Sequence, residues 1–147
     1  MFVTLVDFSQ AYDLVPRQVL FKILKRLGCG GLMLATIIAL YRITDSMLGT
    51  LIISASVGVR QGSPTSCILF IIYVNDLIKL IKENCEPEGF LSWLHVLVLM
   101  DDTVLLATTR ANMRRKLDSL LQFCDSYGMK INESKTFFIF FVICGSQ

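Results

Sequence analysis

Two adjacent carboxylates interrupt an apolar run near the middle of the chain. Asp101 and Asp102 follow the run Leu97–Met100 and precede the run Thr103–Ala107. Buried like charges repel each other and are poorly solvated, whereas Mg²⁺ binds through one or two carboxylates and completes its shell with water and phosphate oxygens. The pattern therefore predicts a β-hairpin whose tip is a candidate metal platform. A plain turn is the alternative, because Asp tolerates the left-handed backbone of short hairpin loops.

The chain is apolar for its length, which raises the question of a membrane. Its 147 residues suit one domain, its hydrophobic fraction is 54% and its mean hydropathy is +0.61. The charge-free run Leu27–Tyr41 has only 15 residues, fewer than the roughly 18 to 20 that span a bilayer. We therefore expect no membrane span, no signal peptide and an intracellular location in the cytoplasm or nucleus. The excess apolar surface indicates a piece of a larger protein, with faces that pack on missing neighbours.

Charge and cysteine content exclude several kinds of site. The net charge of +2 is weak evidence for a polyanionic partner, and two basic clusters on predicted helices are interpreted first as solvated faces and second as phosphate contacts. These clusters are Lys22, Lys25 and Arg26, and Arg110, Arg114, Arg115 and Lys116. The five scattered cysteines imply neither a disulfide framework nor a zinc site, and they favour a reducing compartment. The single histidine, His95, excludes Ser-His-Asp and histidine–metal chemistry.

Hydrophobic periodicity predicts alternating sheet and helix elements. Strands are expected at Phe2–Val6, through Met47–Ser54, on both sides of Asp101, and at Met129–Asn132 and Phe137–Ile143. Helices are expected after Pro16, over Leu32–Tyr41 as a more buried element, over Cys67–Ile81 as an internal element, and from Met113 to Cys124, with Gly128 ending the last. Val57–Pro64 is expected to be a loop. These elements predict an α+β or α/β sheet with helices on one face.

Asp7 offers a partner for the central carboxylates. It lies at the end of the first predicted strand, as Asp101 ends another. If these strands are neighbours, the two carboxylates converge, which is the arrangement that two-metal phosphoryl transfer requires. The alternative is a turn or helix-cap aspartate, which is common at strand ends.

Four segments carry a resemblance to a known family. Asp7–Asp13 resembles the D-x-x-x-A-[FY]-D segment of reverse transcriptases, and Gly58–Ser66 resembles their R-Q-G-x-P-x-S loop. Leu99–Asp102 takes the place of the [FY]-x-D-D box, and Tyr127–Thr136 is similar to the glycine-to-lysine segment that follows it. The motifs occur in the family's order over nearly the whole chain. The residues in and around these motifs are most similar to those of non-LTR (LINE-type) retrotransposon enzymes, with group II intron maturases as the nearest alternative.

The resemblance implies an RNA-directed DNA polymerase that adds a deoxynucleotide to a primer 3′-hydroxyl and releases pyrophosphate. It implies Asp7, Asp101 and Asp102 as the catalytic and metal-binding residues, holding two Mg²⁺ ions or, alternatively, Mn²⁺. It implies dNTP or template contacts at Phe8, Tyr12, Arg60, Gln61, Gly62 and Lys135. Tyr12 matches the aromatic position under the sugar, and Lys135 matches the lysine at the leaving pyrophosphate. From the residues alone, core packing is the preferred interpretation of Tyr12, and Lys135 is an ordinary surface lysine.

The resemblance also implies an architecture. It is an α+β fold with a polymerase palm-like antiparallel sheet, helices packed on one face, and incomplete fingers and thumb. Residues 1–147 would form a partial reverse transcriptase domain, the palm core with part of the fingers-side helices. RNA template, DNA primer and dNTPs would be its partners, together with the missing fingers, thumb and endonuclease regions of a parent polyprotein.

Weak or absent activity is expected from the isolated chain, because phosphoryl transfer needs contacts to both duplex and triphosphate. The alternatives are a catalytically dead remnant that acts at most as a nucleic-acid-binding module and, weakest, a membrane-associated protein.

Overall fold

The structure is a computed structural model, and it describes residues 1–42, 45–48, 51–54, 57–60, 62–86, 88–89, 94, 96–99 and 102–141. Its elements are β1 (Phe2–Asp7), α1 (Arg17–Arg26), α2 (Gly31–Arg42), β2 (Asp45–Leu48), β3 (Leu51–Ser54), α3 (Pro64–Asn84), β4 (Val96–Leu99), β5 (Asp102–Ala107), α4 (Arg110–Tyr127), a 3₁₀ turn (Glu133–Lys135) and β6 (Phe137–Phe140). They form two compact units, Met1–Ala11 with Val74–Gln147, and Tyr12–Tyr73. We call these the sheet unit and the helical unit.

The sheet unit is built on a four-stranded antiparallel sheet in the order β4-β5-β1-β6. α4 covers one face of β5 and β1, and the Thr4 hydroxyl donates a hydrogen bond to the Met113 sulfur at 3.3 Å. Leu105 and Phe123 are fully buried in the core of this unit. The predicted antiparallel sheet with helical cover on one face is therefore confirmed, and the fold class is α+β.

α4 ends at Gly128 as the sequence predicts, but it begins at Arg110, three residues before the expected Met113. Thr109 is its N-cap, and the Thr109 hydroxyl accepts a hydrogen bond from the Asn112 backbone N–H at 3.2 Å. Gly128 follows the last turn with φ of 72°, the left-handed geometry that ends many helices. Because the apolar side of α4 packs on β5 and β1, this helix supports both strands on one face of the sheet.

The helical unit contains α1, α2, the β2–β3 hairpin and the first half of α3. Pro16 precedes the first turn of α1, where its missing N–H costs no helical hydrogen bond. The single strand expected through Met47–Ser54 is instead an antiparallel pair, with Leu48 opposite Leu51. Gly49-Thr50 lies between the two strands in the sequence, and a glycine at the first position of a two-residue loop is a hairpin signal that the sequence analysis did not use.

Three expectations were wrong. α2 is not a buried helix: Tyr41 is its buried residue, and Leu32 is 85% exposed. Met129–Asn132 is not a strand, because Ile131 makes an isolated bridge to Phe8 and the chain then enters the 3₁₀ turn. α3 is only partly internal, since Ile68 is 61% exposed. An apolar stripe predicts burial only where a neighbouring element covers it.

α3 also bears on the membrane question. By length and composition it is the one helix of the described residues long and apolar enough to cross a membrane, with 21 residues and a hydropathy of 1.6. The expectation from charge-free runs overlooked it, because isolated charges such as Asp76 interrupt its apolar sequence. This is weak evidence for a span, because buried core helices pass the same test, and Phe70, Tyr73 and Leu77 of α3 are fully buried.

Candidate active site

The sheet places Asp7 directly opposite Asp102. β1 and β5 pair antiparallel, and Asp7 at the end of β1 is the Cα partner of Asp102 at the start of β5. Residues directly opposite in an antiparallel pair project from the same face, with Cβ atoms about 4.5–5.5 Å apart. The sequence analysis predicted convergence of Asp7 with Asp101, whereas the described backbone places Asp102, the next residue along the chain, opposite Asp7. Asp101 and Met100 lie outside the described residues, so the predicted role of Asp101 stays a prediction.

The Asp7–Asp102 pair lies at one end of the sheet face that α4 does not cover. Leu5 and Val104 are the next directly opposed pair on that face, and Leu5 is 36% exposed. Leu99 is the Cα partner of Asp102 on its other side and is 73% exposed. The two carboxylates are therefore reachable by solutes from the open side of the sheet.

The segment after α4 holds the backbone at Asp7. The Asn132 N–H donates to the Asp7 carbonyl at 2.8 Å, and the Asp7 N–H donates to the Thr136 hydroxyl at 3.5 Å. The Ser9 N–H donates to the Lys130 carbonyl at 2.8 Å. The glycine-to-lysine segment, whose Lys135 the resemblance implies as a nucleotide contact, therefore also fixes the strand end that carries Asp7.

Phe8 and Lys135 differ in accessibility. Phe8 is 3% exposed, so its ring lies in the core and only its backbone is part of the candidate site. Lys135 is exposed in the 3₁₀ turn that packs beside β1, and its backbone N–H donates to the Asn132 carbonyl at 3.1 Å. The Lys135 ammonium is thus available to an anionic ligand, whereas the Phe8 ring is not.

The chemistry of this donor set suits a divalent cation. Neither Asp7 nor Asp102 forms an ion pair with any described residue, and like charges directly opposite on a sheet destabilise it. Hard cations such as Mg²⁺ prefer carboxylate oxygens and accept as few as two protein carboxylates. Within the described parts of the chain, no three acidic, histidine or cysteine side chains group closely enough to hold a metal, and the third predicted ligand, Asp101, lies outside those parts.

In the helical unit, Tyr12 is tied to the loop that carries Arg60 and Gly62. The Val59 N–H donates to the Tyr12 carbonyl at 2.8 Å, and the Gly58 N–H donates to the Val15 carbonyl at 2.8 Å. The Tyr12 ring stacks on Phe70, with centroids 4.9 Å apart. Two predicted nucleotide-binding elements are therefore joined by direct backbone hydrogen bonds.

Gly58 makes this junction possible. Its φ is +85°, and a Cβ added there would lie 2.9 Å from the Asp13 carbonyl oxygen and 3.0 Å from the Tyr12 carbonyl oxygen. Only glycine combines that backbone conformation with so close an approach. By contrast, Gly62 also has positive φ (+80°) but faces open space. Gln61 lies outside the described residues.

Arg17 is a residue that the sequence analysis missed. It is 9% exposed, and its guanidinium donates to the backbone carbonyls of Gly58 (2.8 Å), Tyr41 (2.8 Å) and Val57 (3.1 Å) while lying 5.3 Å from the Tyr41 ring centroid. Burial lowers the pKa of Arg17. Arg17 thereby holds the approach to the Arg60–Gly62 loop, while Arg60 itself is exposed and donates to the Leu40 carbonyl at 3.2 Å.

The basic cluster on α4 needs correction at Lys116. Arg110 and Arg114 are exposed, as a solvated face predicts, but Lys116 is fully buried. Its ammonium lies 3.3 Å from the Glu88 carboxylate and donates to the Leu106 carbonyl. Lys116 therefore cannot contact a phosphate from this position. The helical spacing indicated a core-facing position, since Lys116 shares a face with Met113 and Leu120. A lysine on such a face is rarely buried unless it is paired, and the pairing could not be seen from the spacing.

Comparison with known proteins decides the family. The sequence pattern of the family described as reverse transcriptase (RNA-dependent DNA polymerase) matches residues 1–141. The chain belongs to the reverse transcriptase family. The family resemblance drawn from the four motifs is therefore confirmed.

Two retrotransposon proteins are similar to this reverse transcriptase chain. It is 32% identical over 80 residues to a retrovirus-related Pol polyprotein from a type-2 retrotransposable element of Drosophila melanogaster, covering 54% of this chain and 8% of that protein. It is 26% identical over 155 residues to a Pol polyprotein from a type-1 retrotransposable element of Nasonia vitripennis, covering 100% of this chain and 15% of that protein. The relatives support the non-LTR retrotransposon assignment, and the chain spans a small part of their length.

Solved structures of similar fold include two telomerases. A Candida albicans telomerase in complex with a fragment of telomeric RNA matches with a TM-score of 0.65 and 18% identity, over 98% of this chain and 27% of that chain. An apo telomerase from Candida tropicalis matches with a TM-score of 0.59 and 19% identity, over 94% of this chain and 30% of that one. These likenesses confirm the palm-like α+β fold.

Proposed function

We propose that this chain is the palm core, with part of the fingers-side helices, of an RNA-directed DNA polymerase that acts in retrotransposition. The observation that carries the proposal is the direct opposition of Asp7 and Asp102 on the open face of the sheet. Paired carboxylates on neighbouring strands, without a basic partner among the described residues, are suited to phosphoryl transfer. An RNA template, a DNA primer and dNTPs are the proposed substrates.

Asp7, Asp102 and the predicted third ligand Asp101 would hold two Mg²⁺ ions, or Mn²⁺ in their place. When bound, these cations supply the positive charge that activates an attacking oxygen and stabilises a leaving oxygen. The hydrogen bonds from Asn132 and to Thr136 keep Asp7 at a fixed position, which reduces reorganisation during the reaction. The exposed Lys135 ammonium would meet the leaving pyrophosphate.

In the helical unit, Tyr12 would pack under the sugar of the incoming nucleotide. Its ring is held by stacking on Phe70, so a 2′-hydroxyl would meet a rigid surface. The loop carrying Arg60, Gln61 and Gly62 would lie along the nascent base pair, where a glycine lets the backbone approach closely. Because the substrates are nucleic acids and nucleotides, we propose that the protein acts inside the cell, in the cytoplasm or nucleus.

The isolated chain is expected to be weak or inactive, because it spans 15% of a full relative and positioning needs duplex contacts from other regions. A primer-extension assay on primed RNA with Mg²⁺ tests this expectation. Incorporation that is robust in the isolated chain and lost on Asp101→Asn would overturn it.

A chimaera tests the function itself. Residues 1–141 replace the matching segment of the Nasonia Pol polyprotein, and RNA-templated DNA synthesis is measured. Synthesis is expected in the chimaera and is expected to disappear with Asp7→Asn, while Asp118→Asn, an exposed change on α4, leaves it intact. A folded but inactive chimaera would favour the catalytically dead remnant. Salt-dependent RNA binding that survives Asp7→Ala and Asp101→Ala would then identify a nucleic-acid-binding module.

A further inference from the structure

The strands that carry the candidate site do not encode their own register. In β5, Val104–Ala107 is apolar at four consecutive positions, and in β1 only Thr4 interrupts the run Phe2–Val6. β4 and β6 are apolar throughout. A strand pair that alternates polar and apolar residues resists slipping because a slip exposes its apolar side. Strands that are apolar at successive positions present an apolar face to the core in either register, so their residue pattern alone does not distinguish the two.

Register nevertheless decides whether the candidate site exists. A shift of β5 by one residue would move Asp102 to the face that α4 covers, and a shift by two would place Val104 or residue 100 opposite Asp7. The observed register must therefore be fixed by contacts other than the apolar pattern. Such contacts must prevent β5 from sliding along its axis relative to β1.

A buried polar cluster holds the C-terminal end of β5, opposite to the end that carries Asp102. The Lys116 ammonium donates to the Leu106 carbonyl and lies 3.3 Å from Glu88 Oε2. Glu88 Oε1 accepts hydrogen bonds from the Thr108 N–H and the Thr108 hydroxyl, both at 2.8 Å, and from the Thr109 N–H at 3.2 Å. Three of the four positions after Leu105, namely Leu106, Thr108 and Thr109, are thus tied to one ion pair.

α4 connects this polar cluster to β1. Lys116 and Met113 are one helical turn apart on α4, and Met113 accepts the hydrogen bond from Thr4 of β1. Thr4 is the Cα partner of Leu105, and Val3 is the partner of Leu106. Neighbouring positions of the same helix therefore contact neighbouring rungs of the β1–β5 ladder, so a slip of β5 against β1 would break either the Lys116 contact with Leu106 or the Met113 contact with Thr4.

We propose that the Glu88–Lys116 ion pair is a positioning device that sets the register of β5 against β1 and thereby places Asp102 opposite Asp7. Burying two charges is costly, and replacing such a pair by apolar residues often leaves a protein equally stable or more so. The best-attested benefit of a buried polar group is the specification of one register. Only the consequence for a bound metal rests on the proposed function; the register assignment does not.

Disulfide trapping in a chain with its five native cysteines replaced by alanine measures the register directly. Leu5→Cys with Val104→Cys reports the native register, because these residues are Cα partners and a disulfide needs Cα atoms within about 7 Å. Leu5→Cys with Leu106→Cys reports a two-residue slip, since these Cα atoms are roughly 8 Å apart in the native register. Each reporter pair is combined with Lys116→Met and, as a matched control, with Arg115→Met, which removes the exposed Arg115–Glu86 ion pair.

Lys116→Met is expected to raise the ratio of slipped to native cross-link by about fivefold, and Arg115→Met is expected to leave it unchanged. The double variant Glu88→Met with Lys116→Met removes both charges and avoids an unpaired buried carboxylate, and it is expected to show the same raised ratio with stability restored. An unchanged ratio in the double variant would overturn the proposal. Loss of both cross-links together, in either variant, would also overturn it, because the pair would then serve stability and not register.

Discussion

Asp7 and Asp102 face each other across the β1–β5 ladder although they lie 95 positions apart in the sequence (102 − 7). Each carboxylate ends or begins its strand, and each side chain projects from the face that α4 leaves open. Their backbone positions are fixed from two directions, by the Asn132–Thr136 segment at Asp7 and by the Glu88–Lys116 cluster at the far end of β5. Contacts elsewhere in the sheet unit thus hold the two like-charged residues opposite each other.

Relieving this repulsion is expected to stabilise the metal-free chain. Asp102→Asn removes one of two directly opposed charges, which we expect to raise the free energy of unfolding by about 0.2–1 kcal/mol. Urea unfolding in the presence of a chelator measures the change. Asp118→Asn, an exposed substitution on α4, is the control and is expected to have no effect. A loss of stability in Asp102→Asn would contradict the account of the pair.

Gly58 is expected to tolerate no side chain. Gly58→Ala would force a Cβ to within 2.9 Å of the Asp13 carbonyl oxygen at φ of +85°, and we expect a destabilisation of about 1–3 kcal/mol. Gly30→Ala is the matched control, because Gly30 has open space around it and no positive φ. Urea unfolding compares the two. Equal effects at both glycines would show that the close approach at Gly58 carries no energetic weight.

The sequence predicted much of this fold because its signals were local. The β1 strand, the start of α1 at Pro16 and the end of α4 at Gly128 follow from propensity and capping, and the structure confirms them. The ordered motifs identified the family, and neighbouring strands then implied that Asp7 meets the central carboxylates. These inferences need only residue type and spacing.

The sequence failed where tertiary contacts decide the outcome. Leu32 lies on an apolar helix but is exposed, because no described element covers it. Lys116 has the sequence context of a solvated basic face but is buried, because Glu88 meets it from 28 positions away. Arg17 gave no signal, since its three carbonyl acceptors come from two distant segments. Partners so far apart in the sequence cannot be read from local pattern.

Arg17 is expected to be irreplaceable by lysine. Arg17→Lys keeps the charge but cannot supply the fork that reaches the carbonyls of Gly58, Tyr41 and Val57. We expect a loss of about 1.5–3 kcal/mol in the free energy of unfolding, the range for hydrogen bonds to a charged group. Lys25→Ala, an exposed change on the same helix, is expected to be nearly neutral. If Arg17→Lys is equally neutral in thermal or urea unfolding, Arg17 does not hold the loop.

Glu88 is expected to contribute to acid sensitivity. Burial alone would raise its pKa, but hydrogen bonds from Asn112 and Thr108 and the Lys116 ammonium outweigh it, so the pKa lies below its ordinary value of 4.5. A carboxylate with a lowered folded-state pKa stabilises the fold above the unfolded-state pKa and loses that contribution as pH falls through the folded-state pKa. Glu88→Gln should therefore flatten the decline in melting temperature below about pH 4.5.

Glu83→Gln is the control for this titration, because Glu83 is an exposed carboxylate on α3. Its melting-temperature profile is expected to follow that of the wild type between neutral pH and pH 3. If Glu88→Gln and the wild type decline in parallel over the same range, Glu88 has no lowered pKa in the folded chain.

Asp7 and Asp102 are proposed to hold a divalent cation together. Titration of the full chain with Mn²⁺, followed by water-proton relaxation, tests it most directly because it requires no template, primer or turnover. We expect a saturable site in the wild type whose affinity falls by about tenfold or more in both Asp7→Asn and Asp102→Asn, with Asp118→Asn unchanged. Mn²⁺ affinity that is the same in the wild type, Asp7→Asn and Asp102→Asn would contradict it.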